Sequence, residues 1–193
     1  VPVTKAHATT GGTICTLNRG RIVLARGTEL QPVVAIKQIP ICFGGAARHN
    51  VANALGATAL ASALGISPES IANGLRALRV EDNPGRANFY SIKGAQVLLD
   101  FAHNPHVLRA IIDMAASLPA QRRLLIIGQA GDRSDEDIRD LARAAEALSF
   151  ERILIKELPT KNRGRPAGEV AALLKDEFMQ QGYRARKIAT VKY

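Results

Sequence analysis

An α/β protein with a mostly parallel sheet in its C-terminal half is predicted by three observations. Between residues 85 and 193, apolar strand-like runs alternate with amphipathic helical stretches, the pattern that gives βαβ units and a parallel sheet with right-handed crossovers. Residues 1–84 read differently, as a hairpin and further strand-like residues followed by two helices rich in Ala and Leu. Helix breakers at Glu81-Asp82-Asn83-Pro84-Gly85-Arg86 separate the two patterns and place a domain boundary between residues 84 and 85.

In chain order, VPVTKA reads as a strand and, lacking an initiating Met, as the start of a fragment. TICTLNRGRIVLARG is a hairpin turning at Asn18-Arg19-Gly20, where glycine tolerates the positive φ of a tight turn. ELQPVVAIKQIPICFGG continues with strand-like residues broken by prolines and stops at Gly44-Gly45. ARHNVANALGATALASALG is a helix closed by Gly65; SPESIANGLRALRV is a second, with Ser67 as N-cap and Pro68 in its first position.

Beyond the boundary AQVLLDF is the first strand, and Asn104-Pro105 start a helix with Leu108, Ile111, Ile112 and Ala115 on one face. RRLLIIG is the second strand, and Ser134 caps a helix with Ile138, Leu141, Ala145 and Leu148 along one side. ERILIKE, the helix PAGEVAALLKDEFMQQG between Pro166 and Gly182, and the strand ARKIATV complete a small Rossmann-like domain.

No apolar run approaches the roughly 18 residues of a membrane span. Cys15 and Cys42 lie in apolar surroundings without metal-ligand spacing, and no basic-then-apolar leader opens the chain, which fits a reducing, cytoplasmic setting. The formal charge of +9 is spread, with eight Lys/Arg against four Asp/Glu in residues 1–84 and eighteen against thirteen in residues 85–193. Five Phe, three Tyr and no Trp offer little for stacking bases. Neither nucleic acid nor a membrane is therefore expected as a partner; the positive field suits nucleotides or acidic substrates.

Ligands of parallel sheets gather where strand carboxyl ends lead into helices, and three loops qualify. In the first, Asp100 is placed to accept two hydrogen bonds from ribose hydroxyls, His103 to face the crevice, and Asn104 to cap a helix. In the second, GQAGDRSDED at 128–137, two glycines allow close backbone approach to a ligand and Ser134 with Asp137 forms a capping box. Arg133 there is either a fork for carboxylate or phosphate or a solvated turn residue. In the third, KELPTKNRGRPAGE, Arg163 and Arg165 are either exposed loop charges or partners of Arg133 at one sheet edge. No G-x-x-x-x-G-K-[ST], H-E-x-x-H or C-x-x-C run occurs.

These stretches together resemble the C-terminal part of the Mur ligase superfamily, ATP-dependent enzymes that join an amine to a carboxylate. ARHNVANALGATALA resembles the end of the family's central ATPase domain with its H-N-x-x-N segment, DNPGR its interdomain link, and DFAHNP and GDR the strand-end motifs of its C-terminal domain. GGAARHNVANAL, NPGRAN and RGRPAGEV are most similar to cyanophycin synthetases and their standalone relatives. Residues 1–84 would then be a strand-and-helix remnant of the central domain and residues 85–193 the C-terminal domain.

The resemblance implies that Asn50 and Asn53 touch adenine, Arg86 reaches the ATP phosphates, Asp100 holds the ribose with His103 beside it, and Arg133, Arg163 and Arg165, with Asn104, orient substrate. His103 and Arg86 would be the catalytic pair. It further implies ATP and Mg2+ as cofactors, the magnesium ligands lying in an upstream part, and a reaction through an acyl phosphate between an amino acid amine and an acceptor carboxylate. The rest of the central domain is an implied partner, and a homo-oligomer is admitted. Two departures stand out. The phosphate loop is absent, so this stretch alone is expected to bind ATP weakly and to be inactive. The third loop is less acidic than in cyanophycin synthetases, which leaves the substrate open. The alternative reading is a non-catalytic nucleotide-binding or assembly module of the same fold.

Overall fold

Arg19 at φ 48° and Gly20 at φ 72° close the first hairpin, and a two-residue turn with both φ values positive matches the right-handed twist of the strands it joins. The computed structural model describes residues 2–192, divided between two compact units, Val1–Asp100 and Phe101–Tyr193; Val1 and Tyr193 lie outside the described residues. Among these residues no helix is long and apolar enough to cross a membrane.

The first unit opens with helix α1 (Pro2–Thr9), where the sequence predicted a strand. Ala6 and Ala8 favour helix, and a proline in the first turn removes an N–H that has no intrahelical partner. Strands β1 (Thr13–Asn18), β2 (Arg21–Arg26) and β3 (Glu29–Ala35) form an antiparallel meander in that order. Its register shifts between Ile22 and Val23, which face Val34 and Pro32, so Val33 is the extra residue of a bulge. Pro32 is tolerated because β3 is an edge strand.

Helices α2 (Arg48–Ala63) and α3 (Pro68–Ala77) pack on the meander, with Val51, Ala54, Ile71, Ala72 and Leu75 meeting Ile22, Leu24, Val34 and Ile39 in one core. Gly65 at φ 79° ends α2 as predicted. The bonds Ile66 N–H to Ala61 O and Gly65 N–H to Ser62 O, both 3.0 Å, make a Schellman motif. Ser67 Oγ caps α3 by accepting from Ser70 N–H.

AQVLLDF is a strand, β5 (Ala95–Leu99), but it is not part of a parallel sheet. It pairs antiparallel with β4 (Asn88–Ile92) in a two-stranded ribbon belonging to the first unit. The physical reason lies in Lys93 and Gly94, both at positive φ. They form a second two-residue turn, so the nearest and entropically cheapest strand partner is the preceding segment.

In the second unit α4 (Pro105–Ala116), β6 (Leu124–Ile127), α5 (Asp135–Arg143), β7 (Arg152–Lys156), α6 (Glu169–Gln180) and β8 (Ile188–Val191) alternate as predicted. The sheet is parallel with order β6-β7-β8, so it holds three of the four strands expected of it. Leu108 and Ile112 of α4, Ile138 and Leu141 of α5, and Leu174 and Phe178 of α6 close over Ile153 and Ile155 of the central strand. Helix α6 starts at Glu169 rather than at Pro166, because Gly168 at φ 84° is its N-cap.

Candidate functional site

Within the first unit the opening turn of α2 and the end of β5 supply polar groups to one neighbourhood. Asn50 is anchored by its Nδ2, which donates to Ile41 O at 2.7 Å, and its Oδ1 accepts from Asn53 Nδ2 at 3.4 Å. One residue before Asn50, His49 has a buried Nδ1 without a hydrogen-bond partner. Burial holds its pKa below the ordinary 6.5, while the nearby Asp100 carboxylate pulls it back up. Asp100 itself, just past β5, accepts from the Ala87 N–H through Oδ2 at 2.8 Å.

That contact is made by an unusual backbone. Ala87 is fully buried and sits at φ 50°, a left-handed conformation rare for a residue with a side chain. Asn88, 4% exposed, holds the turn: its Oδ1 accepts from the N–H groups of Gly85 and Arg86, and its Nδ2 donates to Val80 O at 2.8 Å. The Asn-Pro-Gly-Arg-Ala-Asn stretch is thus a braced turn that points one amide at Asp100 and leaves the Arg86 side chain exposed.

In the second unit the carboxyl edge of the sheet carries two loops. His103 is half-buried, its ring tilted against Phe101 at 4.8 Å and its Nδ1 buried without a partner. Its main-chain oxygen accepts from Nε2 of the buried Gln129 at 3.2 Å, tying the start of α4 to the end of β6. Asn104 caps α4 through Oδ1, which accepts from Val107 N–H at 3.0 Å, so any role toward a ligand falls to its amide NH2.

The glycines of the second loop serve another purpose than the one expected. A Cβ on Gly131 would stand 2.0 Å from Asn162 O, and one on Gly128 would stand 2.6 Å from Lys156 O. They let this loop lie against the backbone of the third loop, and Gly131 N–H donates to Lys161 O at 2.9 Å. The capping box forms as read: Ser134 Oγ accepts from Asp137 N–H at 3.1 Å and Asp137 Oδ2 accepts from Ser134 N–H.

The three arginines of this edge divide into two kinds. Arg165 is turned into the structure, donating to Gly131 O and Arg133 O and pairing with Asp135 and Glu169. Arg133 and Arg163 are exposed, Arg163 at φ 52° in its turn. Two exposed guanidiniums on one loop pair are suited to a carboxylate or phosphate.

The expected arrangement of three loops on one sheet edge is corrected by the ribbon. Asp100 ends a strand of the first unit, and only the loops after β6 and β7 occupy the edge of the parallel sheet. The structure groups Asp100 with the H-N-x-x-N turn, and His103 and Asn104 with the arginine loops. Sequence reasoning missed His49, whose signal was its place at the head of H-N-x-x-N, and also missed Asn88 and Gln129, whose buried amides look like loop polarity in a linear reading. Among the described residues no group of three or more His, Cys, Asp or Glu side chains could hold a metal ion.

A family model described as Mur ligase, glutamate ligase domain, matches residues 85–192. The chain is 33% identical over 172 residues to a cyanophycin synthetase of Trichormus variabilis, covering 88% of this chain and 19% of that protein. MurF from Acinetobacter baumannii shares the fold with a TM-score of 0.59 at 23% identity, over 91% of this chain and 34% of that one. A folylpolyglutamate synthase of Mycobacterium tuberculosis, solved with ADP and AMPPCP, gives 0.57 at 17% identity, over 92% and 37%. The chain spans about a fifth of the length of the cyanophycin synthetases it matches.

Proposed function

Because the chain belongs to the Mur ligase family, we propose that it is the C-terminal portion of an ATP-dependent amide ligase, cyanophycin synthetase-like, that joins an amino acid amine to an acceptor carboxylate. In this reading residues 1–84 are the end of the central, ATP-binding domain and residues 85–193 the C-terminal domain of a cytoplasmic enzyme. The observation that carries it is the match of residues 85–192 to the Mur ligase, glutamate ligase domain.

The groups present fit a nucleoside. Asp100 brings a carboxylate, held in place by Ala87 N–H; His49 keeps an unpartnered buried nitrogen; Asn50 and Asn53 offer amide donors and acceptors. Asp100 is assigned to the ribose, Asn50 and Asn53 to adenine, and Arg86 to the phosphates. Bound ATP supplies the phosphoryl group that activates the acceptor carboxylate. His103 and Asn104, with the exposed Arg133 and Arg163, are assigned to substrate, positioning it by charge and hydrogen bonding; Arg165 is assigned to holding those loops. In this reading the phosphate loop and the Mg2+ ligands are assigned to other parts of the ligase.

The test is ADP release by the polypeptide of the complete reading frame, assayed against panels of amino acids and carboxylate acceptors. Turnover that depends on both substrates is the expected result. Removing the charged acceptor with Asp100→Ala should weaken ATP binding by about 1.5–3 kcal/mol. Tight nucleotide binding without turnover for any pair would favour the assembly-module reading instead.

A further inference from the structure

The other side of α2 faces a concavity of about 840 Å³ that the proposed nucleotide residues do not line. Positions 48, 51, 52 and 55 follow the i, i+3, i+4, i+7 spacing of one helical face, and Asn50 and Asn53 fall on the opposite one. The floor is apolar, built from Ile36, Val51 and Leu55, while Arg19, Arg21, Lys37 and Arg48 supply its charge; no acidic side chain lines it.

Tertiary pairing gathers these cations. Arg19 and Arg21 flank Gly20 of the first turn, Arg21 stands opposite Ala35, and Ile36 N–H donates to Gly20 O at 2.9 Å, which brings Lys37 alongside. Arg48 enters from the first residue of α2. Among the described residues none of the four makes an ion pair. The N-cap of α2, Ala47, provides no side-chain cap, and the first turn holds no acid, so the positive end of the helix dipole adds to the same potential. Four exposed cationic side chains thus line one concavity, and among its lining residues none is acidic.

We infer that this concavity is a second ligand site, for a small organic anion that carries a phosphate or carboxylate on an apolar body. The volume falls in the range of roughly 300–1,000 Å³ of small-molecule sites, which combine an apolar lining with a few convergent polar groups. The cations take the anionic group, with Arg19, Arg21 and Arg48 able to bind it through paired N–H donors, and the Ile36–Val51–Leu55 floor takes the body.

The test is titration of the polypeptide of the complete reading frame with phenyl phosphate, inorganic phosphate and phenol, followed by amide chemical shifts and calorimetry. Phenyl phosphate should shift the amides of residues 19–21, 36–37 and 48–55, and bind about tenfold more tightly than either half-ligand. Lys37→Glu combined with Arg48→Glu should weaken it at least tenfold, whereas Arg76→Glu, a charge reversal on α3 outside the concavity, should weaken it little. Ala52→Trp, from an exposed position, should block binding by filling the space without altering charge. Shifts scattered over surface cations, equal weakening by Arg76→Glu, or binding that survives Ala52→Trp would each overturn the assignment. Equal affinity for inorganic phosphate would remove the apolar body from it.

Discussion

Arg165 donates from Nε to the main-chain oxygen of Gly131 at 3.0 Å. With its bond to Arg133 O and its pairs with Asp135 and Glu169, that contact makes one side chain the strut between the two loops at the sheet edge. Only a planar guanidinium can serve two carbonyls and two carboxylates in different directions.

Arg165→Lys should therefore lower Tm by several degrees and raise amide exchange in residues 130–134 and 161–165. Arg163→Lys, at an exposed side chain, should leave both unchanged. Equal effects of the two substitutions in a thermal melt and an exchange measurement would show that Arg165 is not a strut.

Gly131→Ala should destabilise the second unit by about 1–3 kcal/mol, the usual range for overpacking, because the new Cβ would meet Asn162 O at 2.0 Å. Gly74→Ala on α3, with nothing within 4 Å of its Cβ, should instead stabilise by about 0.4–1 kcal/mol. Denaturant midpoints compared at a shared slope decide both signs.

The folded pKa of His49 lies below its unfolded 6.5 because burial disfavours the imidazolium. The unfolded chain then binds the extra proton, so this contribution to stability is complete above pH 6.5 and is lost as pH falls toward the folded value. His49→Gln should flatten the dependence of ΔG on pH below about 6.5. Unfolding curves across that window that keep the same slope in the variant would place the sensitivity elsewhere.

Glu177 is 4% exposed and accepts from Arg143 Nε at 3.0 Å and Nη2 at 3.2 Å, linking α5 to α6. Glu177→Ala should cost about 1.5–3 kcal/mol, the range for hydrogen bonds to charged groups. In a double-mutant cycle with Arg143→Met the two losses should be less than additive, since either change alone breaks the same contact; Arg143 keeps Glu136 and Asp140 as partners when Glu177 is removed. Additive losses would mean that the pair does not act as a unit.

Local chemistry in the sequence determined several helix ends and a turn: Ser67, Asn104 and Ser134 as N-caps, Gly65 as a C-terminal stop, and Arg19-Gly20 as a hairpin turn. These depend on interactions within about four residues, so a linear reading contains both partners. The helices and strands after residue 101 were legible for the same reason, through periodicities of 3.6 and 2. Motif order carried the family, and composition set aside a membrane span.

Tertiary structure alone decided who pairs with whom. Strand identity did not reveal that β5 joins β4 rather than the parallel sheet, because a strand's hydrogen-bonding groups are the same whichever edge they meet. Nor did residue type separate Arg165, turned onto Gly131, from the exposed Arg163 two positions away. That choice is set by the close approach of two loop backbones, a spacing that a glycine permits but does not announce.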